Sequence, residues 1–115
     1  MFGDVPKTVQ ALPNLVHVDL SMNSFRGAVP TFTSPNLEVV NLSHNSLTGP
    51  IPEDFGSRMS NAVNLKVIDF KYNRISGSIP KSIELLSSKL VEFDLSSNNL
   101  NGRLMFRRNL HSHTA

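Results

Sequence analysis

The side chains best suited to chemistry are four histidines, nine carboxylates and many serines, which could serve general acid–base or nucleophilic catalysis. Their arrangement argues against both roles. His17 and His44 occupy different positions of the pattern described below, and the sequence has no nucleophile elbow and no glycine-rich phosphate loop. His111 and His113 have metal-ligand spacing, but no third ligand is evident. We therefore predict no enzyme activity, no metal and no cofactor.

A motif that returns four times organises these residues instead. Its copies begin at residues 15, 37, 65 and 90, so successive copies are 22, 28 and 25 residues apart. Repeats of 20 to 30 residues are typical of solenoids. The second copy contains all the residue types that recur between copies, in the order Leu37, Val40, Leu42, Asn45, Leu47, Gly49, Ile51 and Pro52. The fourth copy lacks only the final proline of the motif, and Met105 stands at that position.

Each copy divides into a strand-like part and a variable part. Apolar and polar residues alternate before the asparagine, which predicts a short strand paired in parallel with its counterpart in the next coil. The segment after the proline varies in length, which predicts loops or short helical turns. Helical turns are predicted at two places, through Ile83, Leu85 and Leu86, and less clearly through Phe55, Met59 and Val63.

The asparagines of the four copies favour a structural role over a ligand contact. A buried amide needs partners for two N–H donors and one carbonyl acceptor. We expect a scaffold ladder in which each amide bonds the backbone of its own turn and of the next coil, made of Asn23, Asn45, Asn73 and Asn98.

The whole repeat array is predicted to be one domain, residues 1–106. We divide it into a partial repeat, four repeats and a disordered polar tail, residues 1–14, 15–36, 37–64, 65–89, 90–106 and 107–115. Val9 and Leu12 are expected to be buried against the first full repeat. Leu104, Met105 and Phe106 are expected to cover the far end.

Charge and hydropathy exclude two classes of partner. The formal net charge is only +2, and no Lys/Arg run exceeds a pair, so we expect no nucleic-acid binding. No apolar stretch approaches the ~18 residues of a membrane span. The amino terminus has no apolar segment of the secretory type, so the chain itself leaves the compartment unknown.

Outward-facing strand positions form columns across the coils, and these could bind a partner. Tyrosine, methionine and large amphipathic side chains are favoured at protein interfaces. The candidates are His17, Met22, His44, Lys71 and Tyr72. The alternative is that these are ordinary solvated positions and that Lys71 only neutralises Asp69 and Asp94. The face would measure on the order of 300 to 400 Å², against ~800 Å² per partner in a standard interface.

The motif L-x-x-L-x-L-x-x-N-x-L-x-G-x-I-P resembles the plant-specific leucine-rich repeats. The runs that carry the likeness are Asp19-Leu20-Ser21, Asn41-Leu42-Ser43, Asp94-Leu95-Ser96, Gly49-Pro50-Ile51-Pro52 and Gly77-Ser78-Ile79-Pro80. The resemblance implies an α/β solenoid, a right-handed superhelix with a short parallel β-sheet on its concave face and loops or short helical turns on its convex side.

In that family such repeats form ectodomains of receptor-like kinases and receptor-like proteins in signal transduction. The resemblance therefore implies an extracellular or plasma-membrane location, a protein or peptide ligand and a co-receptor. Two alternatives stay open, an inhibitor of a secreted cell-wall hydrolase of the polygalacturonase-inhibitor type and a truncated product without an autonomous role. Uncapped repeat ends would favour self-association. Asn41 is an N-glycosylation acceptor only in the secretory pathway.

Overall fold

The computed structural model of the protein describes residues 2–100. Nine short strands alternate with three short helices along this part of the chain. In order they are β1 (Phe2–Gly3), α1 (Lys7–Gln10), β2 (His17–Asp19), β3 (Ser24–Gly27), β4 (Val39–Asn41), β5 (Ser46–Pro50), α2 (Phe55–Met59), β6 (Val67–Asp69), β7 (Arg74–Gly77), a 3₁₀ helix (Lys81–Leu86), β8 (Glu92–Asp94) and β9 (Asn99–Leu100).

The strands form two parallel sheets. The four-stranded sheet has the order β2-β4-β6-β8, and the five-stranded sheet has the order β1-β3-β5-β7-β9. In the four-stranded sheet Val18 aligns with Val40, Val40 with Ile68 and Ile68 with Phe93. The apolar position of each copy therefore lies beside the same position of the next, as a solenoid requires. This architecture confirms the predicted leucine-rich-repeat solenoid.

The second sheet is a finding that the repeat pattern did not predict. It is built from the residues that follow each asparagine, and its strands are only two to five residues long. In β3 only Phe25 is buried and in β5 only Leu47. Both apolar side chains enter the core, so the two sheets enclose it from two sides.

The core is continuous from the first coil to the last described one. Its largest fully buried side chains are aromatic residues from several coils, Phe25, Phe32, Phe55, Phe70 and Phe93. The rings of Phe55 and Phe70 meet edge to face with centroids 6.0 Å apart. Since such edge-to-face pairs add to the free energy gained by burial alone, this contact helps to join the convex segment to the four-stranded sheet.

The variable segments form short helices where we predicted them, with two corrections. Helix α2 ends at Met59, and Val63 is 71% exposed because the chain has left the helix before it. Leu12 is 45% exposed, so the prediction that it is buried was wrong, whereas Val9 packs against the core. Leu12 lies beyond the end of α1, where the chain crosses the surface of the first coil.

The predicted cover of Leu104, Met105 and Phe106, the polar tail and the histidines 111 and 113 lie outside the described residues. None of the helices within residues 2–100 is long and apolar enough to cross a membrane.

Candidate functional site

The asparagines hold the turns that follow the four-stranded sheet. Nδ2 of Asn73 donates to the carbonyl oxygens of Leu42, 2.9 Å away, and Phe70, 3.0 Å away. Its Oδ1 accepts the backbone N–H of Leu47 at 3.0 Å. One amide thus bonds the backbone of its own coil and of the preceding coil, whereas we predicted the next coil.

Asn45 and Asn98 repeat this geometry. Nδ2 of Asn45 bonds the Leu20 carbonyl and its Oδ1 accepts the Phe25 N–H. Asn98 bonds the Phe70 carbonyl and the Ile75 N–H in the same way. At Asn23 the structure shows bonds from Nδ2 to the carbonyls of Leu20 and Ser21 in its own turn.

The carboxylates that end the strands are also tied to the backbone. Oδ1 of Asp19 accepts the backbone N–H and the hydroxyl of Ser21, which lowers the pKa of the Asp19 carboxyl below its usual value. Asp94 holds Ser96 in the same way. Asp69 and Asp94 are buried, at 8% and 6% exposure, so these acids stabilise the turns and are not open contact positions.

The position after each strand adopts an unusual backbone conformation. Met22, His44, Tyr72 and Ser97 have φ angles of 58° to 59°, the left-handed region that non-glycine residues seldom adopt. In three of them it is accompanied by backbone bonds to the neighbouring coil, since the N–H groups of Met22, His44 and Tyr72 donate to carbonyls of Ser43, Lys71 and Ser96. We call these four residues the strand-exit column.

The strand-exit column presents apolar and aromatic groups to solvent. The rings of His44 and Tyr72 stack with centroids 4.5 Å apart and an interplanar angle of 19°. Tyr72 is 51% exposed, and Met22, in the coil that precedes that of His44, is 75% exposed. The structure therefore brings three of the five predicted binding residues into one row.

The other two candidates differ in their surroundings. Nζ of Lys71 lies 3.1 Å from Oδ2 of Asp69. This hydrogen bond, with further attraction from Asp69, Asp94 and Glu92, raises the pKa of Lys71 above its ordinary 10.5. His17 is exposed at the start of β2, beside Val39, and lies roughly 15 Å along the strand direction from Met22.

Replacing Lys71 by Met tests its pairing with the buried Asp69. We expect the free energy of unfolding to fall by about 1 kcal/mol, because a nearly buried carboxylate loses its charged donor. Because the pKa of Lys71 is higher in the folded than in the unfolded protein, the ion pair stabilises the fold fully at pH values below the ordinary lysine pKa. This stabilisation is lost as the pH rises through the raised pKa of the folded protein. Urea unfolding at neutral pH measures the loss.

A matched control is Lys66→Met, which removes a looser pair. Nζ of Lys66 lies 3.8 Å from Oε1 of Glu38, with both side chains more than a third exposed. We expect no measurable change there. Equal losses in the two variants would contradict the special role of the Lys71–Asp69 pair.

The proposed glycosylation residue lies in the middle of the four-stranded sheet. Asn41 is half-buried in β4, and its Oδ1 accepts the N–H and the hydroxyl of Ser43. A glycan on its Nδ2 would project over the strands beside β4 and compete with any ligand that crosses the centre of this face.

Metal binding finds no support in the part of the chain that the structure describes. No three His, Asp or Glu side chains of residues 2–100 lie close enough together to hold an ion. Within the same range, His17 and His44 project from different positions of neighbouring coils and share no acidic partner at hydrogen-bond distance.

Comparison with known proteins identifies the repeat class. A family model for the Leucine Rich Repeat matches residues 36–57 and 64–86. The BIR2 ectodomain from Arabidopsis thaliana is 31% identical with a TM-score of 0.76, over 90% of this chain and 53% of its own. No curated protein sequence gives a significant match.

Two further structures show how widely the fold is used. The Arabidopsis receptor kinase HAESA, solved with the peptide hormone IDA and the co-receptor SERK1, is 29% identical with a TM-score of 0.71, over 90% of this chain and 17% of its own. A plant ice-binding protein is 28% identical with a TM-score of 0.65, over 96% of this chain and 34% of its own.

The chain thus spans about half or less of the length of these similar structures. Its repeats match the family model, and its fold is similar to those of the solved ectodomains. The protein is therefore built of leucine-rich repeats, and its solenoid is similar to those of plant receptor-kinase ectodomains.

Proposed function

We propose that this protein is a non-enzymatic recognition module that binds a peptide or a protein segment on its four-stranded sheet. The observation that carries the proposal is the exposed row of Met22, His44 and Tyr72 on a backbone that hydrogen bonds hold rigid. Tyrosine and methionine are enriched at the centres of interfaces, and a rigid surface loses little conformational entropy on binding. Lys71 and His17 would contact the flanks of the ligand.

Partners and location follow from the likeness to the receptor ectodomains. HAESA was solved with both a peptide hormone and a co-receptor. We extend only the partner classes, a short peptide and a second protein, to this chain, and we place recognition outside the cell. The fold alone does not decide function, since an ice-binding protein shares it. Hydrolase inhibition has no separate support in the geometry of residues 2–100.

Tyr72→Gly tests the proposal without a threat to the fold. Glycine removes the ring and adopts the left-handed φ of 59° without strain, which stabilises the fold by about 1 kcal/mol. This gain offsets the stability lost because glycine raises the conformational entropy of the unfolded chain. We expect peptides selected on the full chain from a random displayed library to bind this variant roughly tenfold more weakly, as for a lost hot spot. Calorimetric titration measures the affinity.

The control is Ser97→Gly, which makes the same backbone change in the same column without removing a ring. Ser97 is exposed and has a φ of 59°. We expect it to bind the selected peptides like the unaltered chain. If Tyr72→Gly also binds them unchanged while both variants stay folded by circular dichroism, the strand-exit column is not the recognition surface.

A further inference from the structure

The two sheets carry side chains of opposite charge. The strands of the four-stranded sheet contain four acids, the exposed Asp19, the half-buried Glu92 and the buried Asp69 and Asp94, with the cation Lys71 beside them. On the five-stranded sheet the outward positions of the three central strands are Ser24, Arg26, Ser46, Thr48, Arg74 and Ser76. This second face therefore has two cations and no acid among those positions.

The two arginines share one groove. A groove of about 400 Å³ is lined by Ser24, Arg26, Gly27, Ser46, Thr48 and Arg74. Arg26 and Arg74 lie on β3 and β7, with β5 between them. At ~4.8 Å per strand and ~3.3 Å per residue for their two-residue offset along β5, their backbones are roughly 12 Å apart, so both long side chains can reach a group that lies over β5.

Neither guanidinium has a counter-charge in the part of the chain that the structure describes. Ion pairs form there between other residues, and within residues 2–100 neither the Arg26 nor the Arg74 side chain makes a hydrogen bond. One acid reaches the edge of this groove, because the carboxylate of Asp4 packs against Gly27. Asp4 also lines a second cavity together with Lys7 and Arg58, and the two arginines of the groove outnumber this one carboxylate.

We propose that this groove binds the carboxylates of an acidic oligosaccharide. A guanidinium binds a carboxylate through two parallel hydrogen bonds, and two guanidiniums on separate strands suit an extended ligand with more than one carboxylate. Ser24, Ser46 and Thr48 offer hydroxyls that donate to and accept from sugar hydroxyls. This inference is independent of peptide recognition, because it concerns the other sheet.

The lining disfavours other anionic ligands. A compact phosphate site would use converging backbone N–H groups at a helix start or a nest, and a shallow strand surface does not supply them. Single-stranded nucleic acid would need aromatic rings for base stacking, and none lines the groove. An apolar small molecule would need an apolar enclosure, whereas two arginines and three hydroxyls surround this groove.

Titration of the full chain with an oligogalacturonate tests the proposal, and the fully methyl-esterified oligosaccharide is the matched neutral probe. We expect binding of the acid form alone, weakened by added salt. The double variant Arg26→Gln/Arg74→Gln should lose roughly tenfold or more in affinity, because both charge-assisted pairs with the carboxylates are removed. Both arginines are exposed, so the variant should keep the thermal midpoint of the unaltered chain.

The control variant is Arg58→Gln, an arginine outside the groove that is already paired with Asp54 at 2.9 Å. We expect this variant to bind the oligosaccharide with unchanged affinity. That result would show that binding depends on the groove and not on the positive charge of arginines elsewhere in the chain. Equal binding of the ester, unchanged binding by the double variant, or equally tight binding of inorganic sulfate or phosphate would each overturn the proposal. The same double variant should bind the selected peptides with unchanged affinity. A negative result for the oligosaccharide would therefore not count against peptide recognition, and the reverse also holds.

Discussion

Asn73→Ala is expected to lower the free energy of unfolding by about 3 to 5 kcal/mol. The substitution leaves the N–H of Leu47 without its acceptor, in a site where Asn73 is only 8% exposed. It also removes one of two amide donors from each of the carbonyls of Leu42 and Phe70, which keep their bonds to Asn45 and Asn98. Each of these two lost hydrogen bonds costs about 1 kcal/mol. Each buried polar group left without a partner costs about 1 to 3 kcal/mol. Small domains are stable by about 5 to 15 kcal/mol, so a loss of this size approaches complete unfolding.

Urea unfolding followed by circular dichroism measures this loss, and hydrogen exchange locates it. In the variant the Leu47 amide should exchange faster than other buried amides of β5, because its acceptor has gone. The control Asn61→Ala makes the same chemical change at an exposed residue, and we expect less than about 0.5 kcal/mol there. Equal losses at residues 61 and 73 would contradict the interpretation that the asparagine ladder joins neighbouring coils.

The sequence allowed the four-stranded sheet to be predicted because its signals are local. In β4, for example, Val40 faces the core and Val39 and Asn41 lie at the other face, an alternation visible in three residues. The asparagine adds a second signal, since a polar amide at a fixed distance after an apolar strand needs partners that only a neighbouring coil can supply. Repetition of both signals indicated the solenoid.

The five-stranded sheet could not be predicted by the same means. Its strands are short and rich in Ser, Arg and Gly, residues with little preference for a strand. They are extended because each pairs with the corresponding segment of the next coil, which is a non-local cause. The groove of Arg26 and Arg74 was missed for the same reason, because these residues belong to different copies and come together only across β5.

Three residues of the strand-exit column, Met22, His44 and Tyr72, were predicted to face outward, but their left-handed backbone was not predicted. Glycine and asparagine usually signal a left-handed residue, and this column instead contains Met22, His44, Tyr72 and Ser97. For Met22, His44 and Tyr72, N–H bonds to the adjacent coil compensate for the strain. None of the four is branched at Cβ, which keeps the steric cost of this conformation low.

Gly56→Ala should destabilise the protein by about 3 kcal/mol although alanine is the better helix former. Gly56 lies in α2, and its N–H donates to Oγ of Ser82 in the 3₁₀ helix at 2.9 Å. A Cβ added there would overlap the backbone carbonyl of Ser82 and reach 3.0 Å from the N of Ile83. Helix propensity favours alanine by about 1 kcal/mol, but overpacking against a rigid backbone costs more, so tertiary contact decides the sign.

The overlap cannot be relieved cheaply, because the two helices share a filled core. Phe55 and Met59 of α2 and Ile83 and Leu86 of the 3₁₀ helix are all at most 3% exposed. Separating the helices to admit a methyl group would loosen these side chains as well. Thermal and urea unfolding of Gly56→Ala should therefore both show the loss. Ser57→Ala, one residue along on the exposed side of α2, should leave stability unchanged or slightly higher. A Gly56→Ala variant stabilised to the extent that helix propensity alone predicts would show that the convex segments of neighbouring coils do not pack against each other.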